Sequence, residues 1–243
     1  DVDGITGCAV LYLLLLIPAY MFISSRRIPV KLLLTYAIGI GFAFLMLYFV
    51  GRTLPLSVQR AFSWVPFADI SPAARYDALG TTIWRIDVWQ RAIEMIPRYW
   101  FLGRGFAFDA NAYYALAHAV NPHVEWALVT HTYHSGPLSL LVDLGVIGLG
   151  FGSAIMIGGV IHHYRKQVEE WCDPTLRRYH QVMLASFSVD VVRFFIVQGN
   201  ASSFMVGMIL HLALLDGLWR TNRWVLQGGE DEPDAVPEVN GTR

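Results

Sequence analysis

Residues 130–150 read THTYHSGPLSLLVDLGVIGLG. Two imidazoles, His131 and His134, stand at the lip of a long apolar run, and Asp143 lies inside it. Imidazole titrates near neutral pH, so it suits proton transfer or the orientation of a substrate hydroxyl. Two histidines at this spacing can also share a metal. No cysteine or clear third ligand accompanies them, however, and the helical H-E-x-x-H pattern is absent. No metal or other cofactor is expected. Histidines at a membrane boundary often do no more than satisfy a hydrogen bond, so chemistry here needs a second charged group.

Arginine supplies it. Residues 51–136 hold Arg52, Arg60, Arg75, Arg85, Arg91, Arg98 and Arg104, and no lysine. A guanidinium binds phosphate through a planar fork and does not lose its charge. An all-arginine set suits an anionic headgroup or a pyrophosphate. The plainer alternative is that these cations balance Asp69, Asp77, Asp87, Glu94, Asp109 and Glu125. A second charged pair, Asp190 and Arg193, shares a helix face at i,i+3. It reads either as self-neutralising or as the wall of an anion cavity.

These groups sit among elements of a membrane protein. The chain is 55% hydrophobic and 15% charged, with a mean hydropathy of +0.44. Soluble domains are about half apolar and about a quarter charged. A net charge of −1 offers no field for nucleic acid. Five runs, 7–23, 32–50, 137–161, 182–198 and 203–219, approach the ~20 residues that cross a bilayer. Backbone in lipid must satisfy its own hydrogen bonds, so these are expected to be helices. The expected fold is therefore all-α and polytopic, a single membrane domain over 1–220. The chain begins with Asp and is read as part of a larger protein.

Arg26, Arg27 and Lys31 fall in one short connection; Arg165, Lys166, Arg177 and Arg178 fall in another; Arg220 and Arg223 follow the last run. The excess of positive charge marks that side as cytoplasmic. Residues 51–136 are then an outer, periplasmic loop. The acidic, Pro- and Gly-containing tail 226–243 is expected to be disordered. Cys8 and Cys172 would lie on opposite sides, which argues against a disulfide.

Within the outer loop, Ile86, Trp89, Ile93 and Ile96 recur at helical spacing, so 82–96 reads as an amphipathic helix that Pro97 ends. Glu94 and Arg98 could pair at i,i+4. Trp84, Trp89, Tyr99 and Trp100 favour a membrane interface. Gly103-Arg104-Gly105 is a tight turn that brings backbone close to something. In the third run, Asp143 must face the interior, because a carboxylate in lipid costs roughly 2.5–3.5 kcal/mol. Gly145, Gly148, Gly150, Gly152, Gly158 and Gly159 would let helices pack closely. Asn200 and Asn240 open N-x-[ST] triplets, to which little weight is given.

Two stretches resemble the O-antigen ligase and O-antigen polymerase family of bacterial membrane glycosyltransferases. WRIDVWQRAIEMIPRYWFLGRGF is similar to the family's Arg-x-x-x-Trp helix, proline and Gly-x-Gly turn, at Arg85, Trp89, Pro97, Gly103 and Gly105. HSGPLSLLVDLGVIGLG matches at His134, Leu138, Asp143, Gly145 and Gly148, a register that selects His134 over His131. Ser135 and Asp143 stand where the family more often has Asn and Glu. DGITGCAV lacks the Ser-Arg-Gly arginine of many members.

The resemblance implies a metal-independent, inverting glycosyltransferase of the inner membrane. Its donor is a glycan on undecaprenyl pyrophosphate, and its acceptor is lipid A–core or a growing glycan. His134 and Arg85 are then the expected catalytic pair. Arg91, Arg104, His131, Tyr133, Trp89 and Arg193 are the expected substrate contacts. The competing readings are a transporter or channel, suggested by the charges in the spans, and a non-catalytic scaffold, suggested by the missing arginine.

Overall fold

The computed structural model describes residues 2–25, 29–107, 113–114, 121–197 and 199–227. Among them the protein is helical, with no strand. Helix α1 (Val2–Ser25) and α2 (Val30–Val50) lead through a short 3-10 turn into α3 (Leu56–Ala61) and the long α4 (Pro72–Tyr99). Then come α5 (Pro122–Val129), α6 (Gly136–Lys166), α7 (Pro174–Val192), a π-helical turn (Arg193–Val197) and α8 (Ala201–Leu226). His118, Asp109, Arg26, Arg27 and the tail beyond Gln227 lie outside the described residues, as does the Cys8 side chain.

Among the described residues, three helical stretches are long and apolar enough to cross a membrane: Val30–Thr53, Gly136–Lys166 and Phe204–Leu226. Their outward faces are greasy, with Ile38 and Val206 each 71% exposed. The other two expected spans fall on α1 and α7. Helix α1 runs 24 residues, Val2–Ser25, and its described side chains begin at Tyr12. Helix α7 carries Arg177, Arg178, His180, Gln181 and Asp190.

Three clusters of buried side chains hold the elements together. Leu140, Leu184, Phe187, Phe194 and Leu215 join α6, α7, the π turn and α8. Val88, Ala92, Val124, Tyr133 and Val142 bind α4 and α5 to the start of α6. Leu47, Val65, Ile70 and Ala74 fasten the end of α2 beneath the start of α4. The second and third clusters anchor the loop region to the helical bundle.

Helix α4 is longer than its apolar spacing suggests. Ser71 caps it by accepting from the Ala74 N–H at 3.3 Å, and Pro72 pre-sets its first turn. Pro97 sits inside its last turn and does not end it; the helix continues to Tyr99. The inner face is Ala74, Val88 and Ala92, while Ile86, Trp89 and Ile93 lie on the exposed side. The stripe read from the sequence is split: Ile86 and Ile93 face outward, Ile96 packs against the Val88 cluster, and the Trp89 indole reaches the Tyr133 carbonyl. The expected Glu94–Arg98 pair does not form. Glu94 pairs with Arg91 at 3.2 Å, and the Arg98 guanidinium lies 5.3 Å from the centre of the Tyr99 ring.

Of the glycines in α6, Gly145 packs against the Phe101 carbonyl and Gly159 against Leu212 and Phe187. Gly150 and Gly158 face open space, so close helix packing is confined to a few positions.

Candidate functional site

The site is built on a break in α6. Gly145 has φ 69° and ψ −171°, a conformation a side chain resists. A break inside a spanning helix exposes backbone N–H and C=O groups that lipid cannot satisfy. The turn after α4 satisfies them. The N–H groups of Arg104 and Gly105 donate to the carbonyls of Val142 and Asp143 at 2.9 Å each, and Val146 N–H donates to Trp100 O at 2.7 Å. Gly103, at φ 76°, lies so close to the Asp143 backbone that a Cβ would collide with it. The Gly-Arg-Gly turn is therefore the plug for the broken helix.

The plug carries Arg104 onto Asp143, which is fully buried. One carboxylate oxygen, Oδ1, accepts from His131 Nδ1 at 2.7 Å and from the Tyr133 hydroxyl at 2.9 Å. Arg104 Nε stands 3.7 Å from the same oxygen. With His131 Nδ1–H committed to Asp143, its Nε2 is the acceptor for Arg104 Nη2 at 3.1 Å. Arg104 Nη2 also donates to the Leu128 carbonyl. Burial, and then the Asp143 charge, push the Tyr133 hydroxyl well above its usual range, which keeps it a donor. The second carboxylate oxygen is buried without a partner among the described residues.

The sequence placed His131, Tyr133 and Arg104 at the substrate; in the structure His131 and Tyr133 are buried, and all three contact Asp143. They form a rigid floor under the next residue, His134.

His134 has φ 54°, an uncommon backbone conformation for a side-chain-bearing residue. Its N–H donates to Asn200 Oδ1 at 3.2 Å. The preceding carbonyl, on Tyr133, accepts from Trp89 Nε1 at 2.8 Å. Trp89 thus positions the turn through its indole, and its ring is partly exposed. The His134 ring meets the edge of Trp84 at 5.2 Å between centroids. Desolvation first and the Arg85 charge second lower the His134 pKa, favouring the neutral ring. His131 and His134 thus serve different partners.

The outer arginines now separate. Arg52 pairs with Asp69 at 2.6 Å and Arg60 with Asp77 at 2.9 Å. Arg75 donates to the carbonyls of Ser63 and Ala68. Arg91 is exposed between Glu94 and Glu125, so charge balance explains it. Arg85 differs. It forms no ion pair with a described residue, and its Nε is buried without an acceptor among them. The neighbouring Trp84 Nε1 is in the same state.

Arg193 starts the π turn and pairs with Asp190 at 3.1 Å, as the spacing suggests. Asp190 Oδ2 is 3.8 Å from His211 Nε2, and Ser186 links His211 to Tyr12. This polar group lies between α1, α7 and α8. The π turn packs beside the start of α6, where the Phe194 carbonyl lies against Gly136.

Sequence reading missed Asn200, which appears there only as the start of an N-x-[ST] triplet. Its contact with His134 spans 66 residues and has no local signature.

The fold and this site define a helical membrane protein with a histidine–arginine centre seated over a broken span. The family model for O-antigen ligase matches residues 6–151, and the chain belongs to that family. No curated protein and no solved structure matches it. A role in membrane glycan assembly follows from the family. The matched region contains α4, the Gly-Arg-Gly turn, His134 and the break at Gly145.

Proposed function

We propose that this protein transfers a glycan from an undecaprenyl-pyrophosphate donor to an acceptor hydroxyl at the periplasmic face of the bacterial inner membrane. The acceptor is lipid A–core in ligation or the end of a glycan in polymerisation. The neutral His134 ring takes the proton of the attacking hydroxyl. The hydroxyl oxygen bonds to the anomeric carbon while the bond from that carbon to the pyrophosphate oxygen breaks from the opposite face, giving inversion. The electron pair leaves on the pyrophosphate, and Arg85 neutralises it as charge develops. No metal enters this scheme, because a fixed guanidinium stabilises a leaving group that is already good.

One observation carries the reading. Beside a histidine held neutral, Arg85 Nε is a buried donor with no acceptor among the described residues. A buried donor left unpaired costs about 1–3 kcal/mol, and a phosphate oxygen would remove that cost. Of the expected substrate contacts, Trp89 and Arg193 remain assigned to that role, from the outer face of α4 and from the π turn. Arg91 contributes field at most.

The test is transfer from a lipid-pyrophosphate glycan by wild type, His134→Ala and Arg85→Ala. Each variant is expected to lose at least about 100-fold in rate with its melting temperature kept. Variants that keep the wild-type rate would remove this site from the chemistry. A wild type that moves the lipid-linked glycan across the bilayer without transferring it would favour the transport reading.

A further inference from the structure

At the other end of α6, opposite His134, the surface holds an open cavity of about 610 Å³. Its walls include Glu169, Glu170, Trp171, Arg177, Arg178 and Gln181. The volume falls in the usual ligand range, and charged side chains share the lining with Val168, Trp171 and Pro174. It opens where the span Gly136–Lys166 ends, which is headgroup depth.

The loop that forms it is braced. Asn222 of α8 is fully buried and holds the loop from both sides: its Oδ1 accepts from Cys172 N–H at 2.8 Å, and its Nδ2 donates to the Glu170 carbonyl at 2.9 Å. The fully buried His180 ring backs Trp171 at 4.9 Å. Trp171 is thus fixed, and its Nε1–H, which can only donate, has no acceptor among the described residues. Arg177 and Arg178 form no ion pair with a described residue. Glu169 accepts from Trp219 Nε1 at 3.2 Å, which leaves the Glu170 carboxylate as the uncommitted acceptor.

We infer that this cavity binds the phosphoethanolamine headgroup of a bilayer lipid. Two guanidinium groups and an indole N–H offer a phosphodiester its donors. Glu170 offers the ammonium its counter-charge. Two arginines and two glutamates cancel, so the cavity matches a zwitterion better than an anionic headgroup. The indole at the membrane boundary suits the same occupant.

The test is native mass spectrometry of the full chain in detergent, with added phosphatidylethanolamine, phosphatidylglycerol or phosphatidylcholine at equal concentration. Wild type is expected to keep phosphatidylethanolamine at least tenfold over the other two. The Arg177→Gln/Arg178→Gln double variant should lose that retention. Trp171→Phe, which keeps a ring against His180, should weaken it severalfold. Glu170→Gln should remove the preference over phosphatidylglycerol. Equal retention of all three lipids by wild type, or unchanged retention by folded Arg177→Gln/Arg178→Gln, overturns the inference. If soluble glycerophosphoethanolamine displaces the lipid at matched concentration, the lipid is overturned as occupant.

Discussion

His134 is shaped by three neighbours that do not share its sequence neighbourhood. Asn200 holds its N–H, Trp84 its ring edge, and Arg85 its electrostatic environment. Because burial and Arg85 both lower its pKa, the sign of two pH effects is fixed. The folded state binds the proton less readily than the unfolded chain. Stability from this residue is therefore full above the unfolded value of 6.5 and falls as pH drops through the lower folded value. A base in that state keeps working below pH 6.5 and fails only when the ring protonates. Histidine NMR, assigned by loss of a signal in His134→Gln, should show a titration below 6.5 in wild type. In Arg85→Gln it should move upward, toward the unperturbed value, since the second cause is gone. An unmoved titration would mean that Arg85 does not act on His134.

At the scale of elements, the broken helix α6 and the turn after α4 form one device. Neither is stable alone: the break leaves bare backbone groups, and the turn has its donors aimed at them. Gly145→Ala tests this. A Cβ there would strike the Phe101 carbonyl, and the residue would still have to hold φ near 69°. Positive φ costs about 1–3 kcal/mol before any collision. The variant should melt well below wild type and lose transfer, while Gly150→Ala, in open space, should change neither. Matching melting temperatures for the two variants would separate the break from the fold's stability. The same device explains where Arg104 points. It reaches Asp143 because the plug must be seated, and Asp143 tolerates burial because His131, Tyr133 and Arg104 converge on one of its oxygens.

For the whole molecule, α6 separates two polar ends. His134 and Arg85 lie at one, the braced loop with Cys172 at the other. In the proposed topology the first faces the periplasm and the second the cytoplasm. Cys172 is an exposed free thiol and reports the second end directly. In a Cys8→Ser background, a membrane-impermeant maleimide should label Cys172 in inside-out vesicles and leave it unlabelled in spheroplasts. Ala73→Cys, at the exposed start of α4, should show the reverse pattern. Labelling of both from one side would invert or dismantle this topology.

The helical membrane class was legible in composition and run length, because burying backbone in lipid leaves few alternatives to a helix. The two motifs were legible as well: His134, Asp143, Gly145, Arg85 and the Gly-Arg-Gly turn all stand in short local patterns. Their join was not. That the turn plugs the break at Gly145 depends on hydrogen bonds across about 40 residues, and spacing along the chain does not encode them. The facing of α4 was hidden for a related reason. A 3.6-residue period reports an apolar stripe, but lipid and protein core accept the same side chains, so Ile86 and Ile93 could have faced either. The division between His134 at the surface of the site and His131 beneath it was also decided in three dimensions. Two histidines three apart are chemically alike in sequence, and only Asp143 below one and Arg85 beside the other make them different.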